Sequence, residues 1–258
     1  MKKIFTLLCC MVFAAQYSMV SAQNTTMKIW KGGIVTTTYD VTEVDSVTFE
    51  SSADSVKHED GVGHKFVDLG LPSGLLWAET NIGAETAADD GNYYAWGETE
   101  PQTSNSYFYG SYKYGTTPDN YTKYNSSDGK TTLDPEDDAA YVNWGDSCRM
   151  PTAYEFVELC DSANCTWTWT SMLASDGSSI NGYKVTSVKN GNSIFLPASG
   201  SRGDWGLNGH GSVGGYWSST LYSIGIGNAY YITFGSSKHR HEICSRDIGF
   251  TVRPVAEP

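Results

Sequence analysis

The chain opens on an apolar block without periodicity: Met1, Lys2 and Lys3 lead into residues 4–15, almost wholly hydrophobic, and Val20-Ser21-Ala22 then presents small side chains. A positive start, an apolar centre and a small-residue cleavage site make the three-part secretory pattern, with cleavage expected after Ala22 or Gln23. The apolar run falls short of the roughly 20 residues that span a bilayer, and no later run approaches that length. Residues 1–22 are therefore read as a signal peptide. The mature chain is expected in the periplasm, at the cell surface or outside the cell, without membrane insertion. Cys9 and Cys10 lie in the apolar run, but Leu8 stands where a lipid-attachment motif requires a small residue.

Beyond the leader the pattern changes to alternation. From residue 27 to 49 polar and apolar side chains alternate, the period of a half-buried strand, and Gly32-Gly33 interrupts them, which predicts a hairpin and a third strand at 46–50. This small β segment, residues 23–50, cannot hold its own core and is expected to dock on the main domain or on a neighbouring copy. Residues 51–63, rich in Ser, Asp and Gly, read as a linker. The main domain spans residues 64–256. Its short strands at 66–69 and 75–77 are joined by the turn Leu71-Pro72-Ser73-Gly74, and a further apolar run follows at 93–96. Residues 99–130 are polar and Tyr-rich, which predicts a long surface loop.

Two helices are signalled. In the first, Asp134 caps, Pro135 takes the first position, and Glu136, Asp137 and Asp138 suit the positive end of the helix dipole. In the second, Thr152 and Glu155 make a capping box ahead of Phe156, Val157, Leu159 and Cys160. Strands are expected at 166–170, 183–188, 193–196, 216–220, 229–234 and 250–255. Few helices among many strands make the fold class α+β.

Charge and composition narrow the partners. A net charge of −12, more negative once Lys2 and Lys3 leave with the leader, repels phosphate backbones and anionic lipid, so no nucleic acid partner is expected. Abundant Gly, Tyr and Trp with only 18% charged residues fit neither a disordered chain nor a helical bundle. Cys148, Cys160, Cys165 and Cys244 remain after the leader. In an oxidising compartment they are expected either as two disulfides, in any of three pairings, or as buried thiols; their spacing fits no zinc site.

The acidic run Asp134, Glu136, Asp137 and Asp138, near Asp128-Gly129, offers hard oxygen ligands, so calcium is the one cofactor considered. Helix capping explains the same residues without an ion. His239-Arg240-His241-Glu242 carries two imidazoles and a carboxylate, but Lys238 and Arg240 oppose a cation, and the stretch reads as a solvated basic turn. Trp77, Trp96, Trp144, Trp167, Trp169 and Trp217 are assigned to the core. Trp205 sits in the Gly-rich stretch 199–215, which has little with which to bury it, and is expected exposed. Tyr107, Tyr109, Tyr112, Tyr114, Tyr121 and Tyr124 fall in the long loop, and Tyr gives large contact area at small entropic cost. The candidate ligand contacts are Trp205, Tyr109, Tyr112, Tyr114 and Asn208. Arg202-Gly203-Asp204 matches a tripeptide read by some integrins, a match too short to carry weight.

The string Phe66-Val67-Asp68-Leu69-Gly70-Leu71-Pro72-Ser73-Gly74-Leu75-Leu76-Trp77-Ala78 resembles the opening of the Fibrobacter succinogenes major paralogous domain. Tyr94-Ala95-Trp96-Gly97-Glu98, Asp137-Asp138-Ala139-Ala140, Arg149-Met150-Pro151-Thr152, Cys165-Thr166-Trp167-Thr168-Trp169, Tyr216-Trp217-Ser218-Ser219 and Val252-Arg253-Pro254-Val255 follow in the family's order. That family is similar to C-type-lectin-like domains and, distantly, to the formylglycine-generating sulfatase-modifying enzymes. The resemblance implies an α+β domain with two short helices, several short antiparallel strands and long loops, whose N- and C-terminal strands pair, preceded here by the small β-hairpin segment. The stretch Val44-Asp45-Ser46-Val47-Thr48-Phe49 also resembles a short module ahead of Bacteroidota surface domains.

Departures matter as much. Cys148 stands where the family often has Trp, and a local disulfide is expected to replace that packing. Only Cys244 lies near Gly249-Phe250, and Thr251 replaces the Arg of the sulfatase modifiers, so their paired-cysteine copper site is not expected. The tripeptide signatures of calcium-dependent sugar-binding lectins are absent, and a lectin-like fold does not by itself license lectin chemistry. The expectation is a non-catalytic recognition domain that binds glycan or protein through loops 104–124 and 201–215. The alternatives are a structural or assembly module of a bacterial surface complex and a divergent enzyme of the sulfatase-modifying type.

Overall fold

A computed structural model describes residues 26–31, 34–40, 57–59, 63–101 and 111–258, in two units divided after Ser51. In the first unit β1 (Thr26–Lys31) and β2 (Ile34–Asp40) form an antiparallel hairpin from Thr26↔Asp40 to Lys31↔Ile34, with a bulge at Ile29/Trp30. The leader and the expected third strand at 46–50 lie outside the described residues.

The second unit is organised by a sheet in the order β3-β4-β5-β15-β6, made by β3 (Lys57–Glu59), β4 (Lys65–Asp68), β5 (Leu76–Ala78), β6 (Cys148–Arg149) and β15 (Val255–Ala256). The stretch read as linker thus contributes β3, because its backbone pairs Lys57↔Val67 through Glu59↔Lys65. The C-terminal strand β15 runs antiparallel between β5 and β6. Period-2 alternation sends Phe66, Leu76, Ala78 and Ala256 into one apolar cluster and Val67, Trp77 and Val255 into another. Both faces of this sheet are therefore buried, which is why its strands read as nearly continuous apolar runs.

Two short α-helices cover it. The first expectation needs correcting: Pro135–Asp137 is a separate 3-10 turn with no side-chain cap from Asp134, and α1 (Ala139–Trp144) is capped by Asp138. Asp138 is better placed because one buried carboxylate accepts from Ala140 N (2.8 Å), Tyr141 N (3.1 Å) and Met150 N (2.9 Å), tying the helix start to β6. α2 (Ala153–Cys160) begins at the expected Thr152/Glu155 capping box, and Arg149 grips Glu155 bidentately at 2.8 and 2.7 Å. No described helix is long and apolar enough to cross a membrane.

The remainder is small antiparallel sheets. β7 (Cys165–Leu173), β8 (Ser179–Ser187) and β9 (Ser193–Pro197) form a meander; β10 (Ser201–Gly203) and β11 (Gly206–Asn208) form a two-stranded ribbon; β12 (Val213–Leu221), β13 (Asn228–Gly235) and β14 (Lys238–Ser245) form a second meander. The strand expected at 250–255 is reduced to bridges at Phe250 and Thr251 followed by β15.

β14 corrects the reading of His239-Arg240-His241-Glu242 as a solvated turn. Both imidazoles serve as flat packing surfaces, His239 stacked on Trp167 at 4.2 Å and His241 on Tyr230 at 5.0 Å, and burial pulls both histidine pKa values down. The tryptophans assigned to the core are there: Trp77, Trp96, Trp144 and Trp217 are buried, and Trp167 and Trp169 are half-buried against the second cluster. Of the two states expected for the cysteines the structure shows thiols, and the local disulfide expected at Cys148 is not formed. Cys148, Cys160, Cys165 and Cys244 are all thiols, and burial pushes Cys160 up to about 12 and Cys165 and Cys244 up to about 11. Such thiols are small apolar packing groups, Cys148 among them at 1% exposure.

Candidate functional site

The ribbon β10–β11 pairs Ser201↔Asn208, Arg202↔Leu207 and Gly203↔Gly206, which leaves Asp204-Trp205 as a two-residue tip. Trp205 is 97% exposed, as the Gly-rich surroundings led us to expect. The ribbon beneath it is firmly held. Arg202 and Gly249 exchange backbone hydrogen bonds of 2.8 Å each, and the Arg202 guanidinium lies 4.8 Å over the Tyr93 ring, whose hydroxyl donates to Ser199 O at 2.6 Å. Gly200 enters the ribbon at φ +72°, and a Cβ there would meet Asn208 O at 2.3 Å, so only glycine fits. His210, just past β11, meets Asp90 at 2.8 Å.

A concavity of about 240 Å³ lies against this ribbon, lined by Arg202, Asp204, Trp205, Asn208, Asp247 and Ile248 among others. Carboxylates, an amide and a guanidinium thus border one exposed indole. Asp247 itself accepts a hydrogen bond from the Ser245 hydroxyl. Of the residues expected to contact a ligand, Trp205 and Asn208 meet here. Asp247 and Ile248 were not legible in the sequence, because they come from the β14–β15 connection and reach the ribbon only through the Arg202–Gly249 pairing.

Tyr112 and Tyr114 require correction. Both were expected to present their rings to a ligand, and they are 6% and 4% exposed. Their hydroxyls donate inward to Trp96 O (2.6 Å) and Gly97 O (2.9 Å), and burial raises both phenol pKa values. The cause is Arg246, fully buried, whose guanidinium sits 4.4 to 5.8 Å from the rings of Trp96, Tyr112, Tyr114, Tyr121 and Tyr124. It donates to the Tyr112 hydroxyl at 2.9 Å and to the carbonyls of Lys123 (3.2 Å), Tyr124 (3.2 Å) and Ile226 (3.1 Å). The described part of the Tyr-rich stretch is therefore a shell around an internal cation. Tyr107 and Tyr109 lie outside the described residues.

The acidic run splits. Ligand atoms of Asp134, Glu136 and Asp137 gather within 4.8 Å of one another, whereas Asp138 faces away as the α1 cap. Lysines already occupy the focus: Lys123 Nζ stands 2.6 Å from Asp134, 2.9 Å from Glu136 and 2.5 Å from Asp137, while Lys113 reaches Asp137 at 2.8 Å and Lys130 pairs with Asp134. Burial alone would raise the Asp137 pKa, but hydrogen bonds from Lys113 and Lys123 hold it well below the usual range. A calcium ion would have to displace an ammonium that satisfies three carboxylates. Thermal unfolding midpoints with calcium and with chelator are thus expected to coincide; a calcium-dependent rise would show that an ion replaces Lys123.

No family model, curated protein or solved structure matches this chain.

Proposed function

We propose that the protein is an exported, non-catalytic recognition domain that binds a glycan at the Trp205 ribbon. The observation that carries this reading is the 97% exposure of Trp205 at the tip of a ribbon pinned by the Arg202–Gly249 backbone pair, beside a concavity bordered by Asp204, Asn208 and Asp247. An indole held in water gains by stacking on the apolar face of a sugar ring, while the surrounding carboxylates and amide accept and donate to its hydroxyls. A rigid ribbon lowers the entropy lost on binding. Against a nucleophilic role for Cys244, burial pushes its thiol up to about 11, away from the reactive thiolate.

The test is a glycan array probed with mature protein and with Trp205→Ala. Burying an indole against a ligand contributes about 2 kcal/mol, so the variant is expected to bind about thirtyfold more weakly, with an unchanged unfolding midpoint. Undiminished binding by Trp205→Ala would sink the site assignment. A second reading, as an assembly module, is favoured by β1–β2: no third strand among the described residues joins this two-stranded sheet, and such a hairpin is marginal alone in water but able to extend another chain's sheet. A blank array together with self-association of the mature protein would favour that reading.

A further inference from the structure

A larger concavity, of about 730 Å³, opens between the loop that follows the 3-10 turn Pro118–Asn120 and the turn joining β12 to β13. Tyr121, Asn125 and Ser127 form one wall, and residues 223–228 form the other, with Ile224 86% exposed. Gly227 keeps it open: a Cβ there would stand 3.2 Å from Pro118 Cγ and 3.9 Å from the Tyr121 hydroxyl, and a longer side chain would project into the space between the walls. The walls are fixed from behind, where Arg246 donates through its backbone N–H to Gly227 O at 3.1 Å and through its guanidinium to Ile226 O at 3.1 Å. The described lining offers hydroxyls, amides, the exposed Ile224 side chain and the carboxylate of Asp119, with no basic side chain. That chemistry suits an uncharged polyhydroxylated ligand and disfavours an anion.

This concavity and the Trp205 site share one short segment. Ser245 pairs with Asn228 on the rim of the larger one, and Gly249 pairs with Arg202 in the ribbon of the smaller. Between them Arg246 backs the first, while Asp247 and Ile248 line the second. Ser245 and Gly249, the ends of the segment that borders both concavities, lie at most about 14 Å apart, a length comparable to a few linked sugar rings.

We infer that the two concavities are subsites of one extended, uncharged glycan chain, Trp205 stacking one ring and the Tyr121–Ile224 concavity taking residues further along. This rests on the glycan reading of the Trp205 ribbon. The probes are short and long members of the cello-, malto- and manno-oligosaccharide series, titrated calorimetrically against wild-type mature protein, Trp205→Ala, Ser223→Trp and Ser127→Trp. Ser223 and Ser127 are exposed on opposite walls, so an indole at either fills the concavity without entering the core.

Long members of one series are expected to bind about tenfold more tightly than short ones. Either filling variant should bring the long members down to the level of the short, and Trp205→Ala should weaken both. Equal affinity for short and long members, or a length gain untouched by both filling variants, overturns the second subsite and leaves the Trp205 reading standing. Length-dependent binding that ignores Trp205→Ala overturns the Trp205 reading instead. Wild-type protein that binds no member of any series overturns both.

Discussion

Replacing Arg246 by Met is expected to destabilise the protein by about 4 kcal/mol, measured as a shift of the urea unfolding midpoint at unchanged slope. Two effects add. The carbonyls of Lys123, Tyr124 and Ile226 and the Tyr112 hydroxyl lose their donor in a site where Arg246 is fully buried, and each dry acceptor costs about 1 kcal/mol or more. The faces of five aromatic rings also lose the cation around which they are arranged, worth about 2 kcal/mol where water is excluded. Methionine recovers part of this through volume and contact with the rings, which keeps the total near 4. Arg246→Lys retains the charge but not the planar fork, and is expected to recover less than half of the loss. If Arg246→Met costs under about 1 kcal/mol, the aromatic shell holds itself together and the guanidinium is a passenger.

Arg253→Met is expected to cost about 3 kcal/mol, for a related reason of different balance. Arg253 is fully buried and donates to Asn81 Oδ1 (2.8 Å), Ala78 O (3.1 Å), Glu79 O (2.9 Å) and Phe195 O (2.9 Å), so one side chain joins the residues at the end of β5 to β9. Burial pulls its pKa down to about 10, which means that the site only partly replaces the water lost by the charge. Removing that charge relieves desolvation, and this partly offsets the three carbonyls and one amide oxygen left without a donor. The acceptors outweigh it, because Ala78 and Glu79 at the end of β5 and Phe195 in β9 belong to separate sheets that this one side chain joins. A neutral outcome in urea unfolding would mean that desolvation of the guanidinium cancels its hydrogen bonds.

Local signals in the sequence were legible where their partners lie within a few residues and no distant group selects among alternatives. The Thr152/Glu155 box starts α2 because capping acts over three positions, and the apolar runs at 66–69 and 75–77 give strands with Trp77 in the core because both faces of their sheet are buried. The exposure of Trp205 was legible for the same reason, since its Gly-rich neighbours supply nothing to cover an indole. The cap of α1 was missed by four positions because Asp134, Asp137 and Asp138 are alike in sequence, and only the distant Met150 amide selects Asp138. The basic turn proved to be a strand because Trp167 and Tyr230 offer His239 and His241 aromatic faces.

The Tyr-rich loop shows the limit most clearly. Tyr112 and Arg246 are 134 residues apart, and nothing local distinguishes an arginine bound for a buried aromatic shell from one bound for solvent. Lys123 likewise becomes the cation of the Asp134, Glu136 and Asp137 cluster only when the loop folds back on it. The sequence by itself determined the alternating strands, the second helix and its cap, and the exposed tryptophan, each fixed by neighbours along the chain. The tertiary structure alone decided which tyrosines are buried, which carboxylates are neutralised, and that Asp247 and Ile248 stand beside Trp205. Those outcomes depend on long-range contacts whose free energy comes from burial.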